Sequence, residues 1–276
     1  MTHTSGDPVS AIAEADATGS IAELYSDIRI TLGVPVVNLI WRQLATFPGA
    51  LLWAWNSLRP VYDSGAVSDQ AAALRADLKI PTLPGLSRHA LTAVGLDEND
   101  MARIEMVQKS YERSNAMNMV AQGALLARLE GRSESPSEIL SASIEQPIEG
   151  EMPELLTLDR MPPYVAAIVM DLNRIGRRDE ILASMYRHLA HWPAYLALIH
   201  AIMASYDANG RLEPLIEGAV ANGRRRGAQV AQGLDTSNLL DPSVEAEVYT
   251  SIRKFIDEPI GKMITVVPLI RASLAG

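Results

Sequence analysis

The sequence predicts an all-α fold made of two tandem copies of one helical unit, on three observations. Apolar residues recur three and four positions apart, and no stretch of strict alternation bounded by turns is present. Two Phe, eight Tyr and four Trp stand against abundant Ala, Leu, Ile and Met, a balance that favours helices over strands. Two separate blocks of the chain then recur at almost the same distance.

The first block pairs Val36–Arg59 with Ile181–Ala204. Val37, Ile40, Trp41, Leu44, Phe47 and Pro48 fall on Leu182, Met185, Tyr186, Leu189, Trp192 and Pro193, each 145 residues later. Arg42 and Ala45 fall on Arg187 and Ala190 at the same distance. The apolar members follow i, i+3, i+4, i+7 and share one helix face, which predicts helices over about 36–46 and 181–191. Each runs into an aromatic-Pro pair. Proline disfavours helix in the residue before it and suits a first helical turn, so a helix–corner–helix is expected. In the second block, Leu96-Asp97 matches Leu240-Asp241, Lys109 matches Arg253, Met119 matches Met263 and Leu126 matches Ile270, all 144 residues apart.

These blocks divide the chain into an N-terminal tail (1–19), a first helical repeat (20–130), an acidic, Pro-containing linker (131–160) and a second repeat (161–276). The linker carries Pro136, Pro147 and Pro153, and its charges are mostly Glu and Asp, so it has little to bury. Asn209-Gly210 and Asn222-Gly223 read as turns, and Leu83-Pro84-Gly85-Leu86 as a loop. Two copies of one unit pack about a pseudo-twofold axis as a pseudo-dimer, and a ligand is expected at their seam.

Composition narrows the function. A length of 276 residues with 48% hydrophobic content supports a substantial core. A formal charge of −9 argues against a nucleic-acid or anionic-membrane partner. The start has neither a basic n-region nor an apolar h-region, and no run of about 18 apolar residues occurs, so a cytoplasmic protein is expected. With no cysteine, thiolate nucleophiles and Cys-based metal sites are absent. No phosphate loop, nucleophile elbow or dinucleotide fingerprint appears, and no cofactor is expected.

Ile21-Ala22-Glu23-Leu24-Tyr25-Ser26-Asp27-Ile28-Arg29, then Leu32-Gly33-Val34-Pro35 and Leu44-Ala45-Thr46-Phe47-Pro48-Gly49, resemble the opening of the group I (DehI-type) 2-haloacid dehalogenases. Leu83-Pro84-Gly85-Leu86 with Ala93-Val94-Gly95-Leu96-Asp97 is similar to that family's middle, and Leu189-Ala190-His191-Trp192-Pro193 to its second corner. The resemblance implies an all-helical pseudo-dimer of the alkylhydroperoxidase-D-like fold group. It also implies hydrolysis of 2-haloalkanoic acids at a site between the repeats, by an aspartate that activates water for direct attack on the α-carbon. The family's asparagine falls on Asn115. Its aspartate should follow Ser184, where this chain has Met185, whose thioether cannot serve as a general base. Aromatic wall residues fall on Val36 and Leu39, a late tyrosine on or near Ile252, and a first-repeat acid on Asp69. A register shifted by one turn would bring Asp179 or Glu180 to the aspartate's place. The peroxidase members of the fold group use a Cys-x-x-Cys pair, which this chain lacks.

The implied function is therefore hydrolytic chemistry on a small 2-substituted carboxylic acid, in a homodimer. The alternative is a binding or biosynthetic protein that keeps the scaffold and holds an apolar small molecule. His188, one turn from Met185, is the best replacement base. His188 and His191 are three apart, but no acid sits at the spacing of a metal motif, so no metal is expected. Arg42 and Arg187 could grip a carboxylate, although their matched positions favour capping of the corners. Arg224-Arg225-Arg226 reads as a solvated helix face, and Trp53 and Trp55 as packing.

Overall fold

Prolines and glycines punctuate the chain where its helices begin and end. The computed structural model describes residues 9–132, 134 and 145–274. Parts of the tail and of the acidic linker, with Pro136 and Glu138, lie outside the described residues. Twelve α-helices and no strand occur among those described. In the first half, α1 is Gly19–Leu32, α2 Leu39–Leu44, α3 Ala50–Asp63, α4 Ala66–Asp77, α5 Arg88–Ala93 and α6 Glu98–Leu129. In the second, α7 is Pro163–Arg174, α8 Ser184–Leu189, α9 Pro193–Ala208, α10 Leu212–Val230, α11 Pro242–Phe255 and α12 Gly261–Leu274. A π-helical turn, Ile256–Ile260, joins the last two.

The corners form as their prolines require. Between α2 and α3 the chain turns through Phe47-Pro48, and Pro193 opens α9. Both preceding helices are shorter than the apolar spacing suggests. Asn38 and Ala183 are extended, so α2 starts at Leu39 and α8 at Ser184. Asp97 caps α6 through the amide of Asp100, and Asp241 caps α11 through the amide of Ser243. These caps satisfy end amides that have no partner within the helix. Helices other than α5, which has no α-helical counterpart between α10 and α11, follow in the same order in both halves, with α6 answered by α11, the π turn and α12 together. Pro259 explains the interruption: it lacks the N–H and crowds the carbonyl four residues back, and one wider turn absorbs both faults.

At the centre α6 packs most extensively on α10. Gly123, Gly223 and Gly227 bring their backbones together, with Gly227 against the backbone of Gly123 and Ala124. Asn222-Gly223 is therefore no turn. It lies inside α10, where the missing side chain is needed for close approach. Asn209-Gly210 does turn, with Gly210 at φ 66°. Arg226 also departs from the sequence reading: it is buried and donates to Gln70 Oε1 (2.6 Å) and Asp77 Oδ2 (2.5 Å), tying α10 to α4. No helix among the described residues is long and apolar enough to cross a membrane.

Candidate functional site

Residues 38–40, the middle of α6, residues 182–185 and the π turn with the start of α12 converge on a cavity of about 30 Å³. By volume it holds about one water. Asn38, Leu39 and Ile40 line it together with Ala183, Ser184 and Met185, their counterparts 145 residues later. Tyr111 and Asn115 of α6 line it together with Phe255 and Pro259, their counterparts 144 residues later. The two halves thus contribute matched positions but unlike chemistry. The first half supplies Asn38, Tyr111 and Asn115; the second supplies Ser184 on an otherwise apolar wall.

The polar groups are held from behind. Asn38 Nδ2 donates to Ser114 Oγ at 3.0 Å. Arg42 Nη2 donates to Ser184 Oγ at 3.4 Å, which brings a buried guanidinium to the residue beside Met185. Asn173 Oδ1 accepts from the amide of Ala183 at 3.2 Å, fixing the entry to α8. Lys262, fully buried, fastens that asparagine in turn. Its Nζ donates to Asn173 O (2.7 Å) and Arg178 O (2.6 Å). Burial pulls the Lys262 pKa down to about 8, so the ammonium is mostly charged at neutral pH.

Two buried polar atoms on the wall residues have no partner: Asn115 Nδ2, a donor, and Asn38 Oδ1, an acceptor. Such orphans cost free energy unless something supplies their hydrogen bonds. Met185 and the other apolar wall residues cannot.

Asn115, Leu39, Ser184 and Met185 are therefore brought together as the sequence suggests, whereas four other candidate residues do not line the cavity. Ile252 is fully buried in the core. On α11 and the π turn, Phe255 and Pro259 face the cavity, and Ile252, one turn before Phe255 on the same side of the helix, does not reach it. Val36 is buried in the extended segment ahead of Asn38. Asp69 is half-buried in the first turn of α4, a helix packed on α3, α6 and α10. His188 sits one turn beyond the cavity on α8, its Nδ1 3.0 Å from Tyr111 Oη. Asp179 and Glu180 are exposed and also lie off the cavity. Tyr111 and Phe255 are wall residues that the motifs did not single out. The matched spacing around Asn115 could have found both, since each occupies the same face one turn earlier.

His188 is buried, and burial together with the nearby Arg42 and Arg187 pushes its pKa down to about 3. It is neutral at pH 7. Because the unfolded chain binds this proton from about pH 6.5 downward, the folded state loses stability as pH falls from 6.5 toward 3. The slope from this group is about 1.4 kcal/mol per pH unit. His188→Gln can keep a bond to Tyr111 without titrating. Urea unfolding at pH 7.5 and 4.5 should show a stability difference about 2–3 kcal/mol smaller in this variant than in the wild type.

His191 is exposed and contacts the carbonyl of Glu154 (2.8 Å). Among the described residues no group of three or more His, Cys, Asp or Glu could hold a metal ion.

The chain matches no family model. It is similar to a configuration-inverting 2-haloacid dehalogenase of Alcaligenes xylosoxydans xylosoxydans, 27% identical over 217 residues and 72% of each chain. A configuration-inverting 2-haloacid dehalogenase of Pseudomonas sp. (strain 113) is 27% identical over 197 residues, 66% of this chain and 62% of the relative. A 98-residue stretch, 33% of each chain, is 33% identical to an (R)-2-haloacid dehalogenase of Pseudomonas putida. Solved structures of D-2-haloacid dehalogenase mutants, one in complex with D-2-CPA, share the fold. Their TM-scores are 0.75 and 0.79 at 17% and 16% identity, over 96% of each chain. Similarity to 2-haloacid dehalogenases thus extends over most of the sequence and over nearly the whole helical fold.

Proposed function

We propose that the seam receives a small 2-substituted carboxylic acid of the 2-haloacid kind, with Met185 and other flexible wall side chains drawing aside to widen the cavity of about 30 Å³, and that the chain descends from group I dehalogenases with its water-activating aspartate replaced by Met185. The observation that carries this reading is the unpartnered Nδ2 of Asn115 on the same cavity wall set as Ser184 and Met185. A substrate carboxylate would accept from that donor. In the reaction, water oxygen bonds to C2 while the C2–halogen bond breaks. Halide leaves with the bonding pair and water's proton passes to a base, giving a 2-hydroxy acid. The new hydroxyl could donate to Asn38 Oδ1. The proton acceptor joined to the cavity is His188, through Tyr111, and protonating it beside Arg42 and Arg187 is costly.

Slow hydrolysis follows. Halide release from (R)- and (S)-2-chloropropanoate is expected above the uncatalysed background but far below about 1 s⁻¹ for both enantiomers. Turnover in the ordinary enzymatic range, about 1–10³ s⁻¹, would show that a base has been retained. The second reading is a binding protein without hydrolysis. It is favoured by a wall in which Leu39, Ile40, Met185, Phe255, Ile260 and Met263 far outweigh the polar groups. Calorimetric binding of 2-chloropropanoate and lactate with no halide release over days would select it.

A further inference from the structure

A second cavity, of about 410 Å³, shares no lining residue with the first. It opens between α5, the first half of α6, the start of α9 and the end of α12. Its walls are mixed: Leu91, Leu96, Ile104 and Leu274 give it an apolar side, and Glu105, which is paired to Lys109, stands among its polar residues. Arg88 and Arg271 also line it, but each is ion-paired to a glutamate outside the lining, Glu98 and Glu112. Their charges already have partners.

Two fully buried polar residues, Gln108 and Tyr195, belong to the lining. Gln108 Nε2 donates to Tyr195 Oη. Gln108 Oε1 is buried and accepts no hydrogen bond, a costly state for an amide oxygen. The fold itself does not ask for these groups. In the helix order of the other half, Ile104, Gln108 and Tyr195 are answered by Val248, Ile252 and Ala50, all apolar and fully buried. At those matched positions no side chain carries a polar atom. Gln108 and Tyr195 therefore mark a local departure that leaves both a space and an unfilled acceptor.

We propose that this cavity binds a small neutral molecule with an apolar body and one O–H or N–H head, an aliphatic alcohol or primary amide, whose head donates to Gln108 Oε1. A carboxylate would meet that oxygen acceptor to acceptor, so the ligand class differs from the acid proposed for the seam.

Nuclear magnetic resonance titration of the full-length protein tests this with hexan-1-ol, hexan-2-one and hexanoate, which differ in the head and little in the apolar body. Hexan-1-ol should give saturable shifts at the Gln108 side-chain amide and at the Leu91 and Ile104 methyls, leaving the Asn115 amide unmoved. Hexan-2-one and hexanoate should bind about tenfold more weakly, as should hexan-1-ol to Gln108→Leu. Equal affinity for the three probes, shifts centred on Asn115, or no saturable shift would overturn the proposal. Undiminished binding to Gln108→Leu would do so as well. If that variant does not fold, the comparison of hexan-1-ol with hexan-2-one on the native protein decides alone.

Discussion

Met185→Asp should raise halide release from 2-chloropropanoate by about 10²- to 10⁴-fold, the usual contribution of a positioned general base. The site is already shaped for an acceptor at this position. Asn115 Nδ2 on the same cavity lacks a partner, and Arg42 reaches the neighbouring Ser184. The carboxylate would still enter a fully buried position, and burial raises a carboxyl pKa while a nearby cation lowers it. The activity of the variant should therefore rise with pH until the new carboxyl ionises. A folded variant that binds 2-chloropropanoate but releases no halide would show that the lost aromatic wall, of which Leu39 lines the cavity, matters as much as the lost base. The shorter side chain also enlarges a cavity of about 30 Å³, so a substrate of six heavy atoms gains room as well as a base. Met185→Ala separates the two effects, because it opens the cavity and supplies no carboxylate. Binding without turnover in Met185→Ala, beside turnover in Met185→Asp, would assign the gain to the base.

What the sequence revealed of this site follows from which residues obey a period. Ile40 and Met185 sit on apolar helix faces and at matched corners, so their places were readable from spacing and from the aromatic-Pro pairs. Asn115 and Ser184 were placed by resemblance, and each lies on an element whose ends the sequence marks well: the Asp97 cap begins α6, and Pro193 follows α8. Ile252 failed for a local reason. It shares a helix face with Phe255, but the cavity is lined from Phe255 onward, one turn short of Ile252. Asp69 and Val36 failed because resemblance fixes order along the chain but not which side of a helix or extended segment meets the cavity. The pairing of Tyr111 with His188 joins residues 77 apart, and no periodicity reports a contact of that kind. Asn222-Gly223 misled for the opposite reason. The dipeptide suits a turn, but glycine also lets two helices touch, and at α10 the tertiary contact prevails.

That contact sets the second large effect, because two glycines of one helix should respond to the same substitution with opposite signs. At Gly218 an added Cβ meets nothing within 4 Å. Gly218→Ala in the exposed interior of α10 should stabilise the protein by about 0.5–1 kcal/mol through helix propensity alone. At Gly227 the same Cβ would lie 2.6 Å from the carbonyl carbon of Gly123 and 2.8 Å from the amide nitrogen of Ala124. Both are backbone atoms, so no rotamer change relieves the overlap; α6 and α10 must move apart. Overpacking costs about 1–3 kcal/mol even where side chains can adjust, and here the cost falls on the most extensive helix contact in the molecule. It exceeds the propensity gain. Gly227→Ala should lower the stability from urea unfolding by at least about 2 kcal/mol, and Gly227→Val should leave no cooperative transition. Since α6 carries Tyr111 and Asn115 on the same rigid rod, moving it also displaces the seam. Gly227→Ala should therefore weaken 2-chloropropanoate binding, whereas Gly218→Ala leaves it unchanged. Stabilisation by alanine at both positions would mean that the two helices do not cross in contact at Gly227.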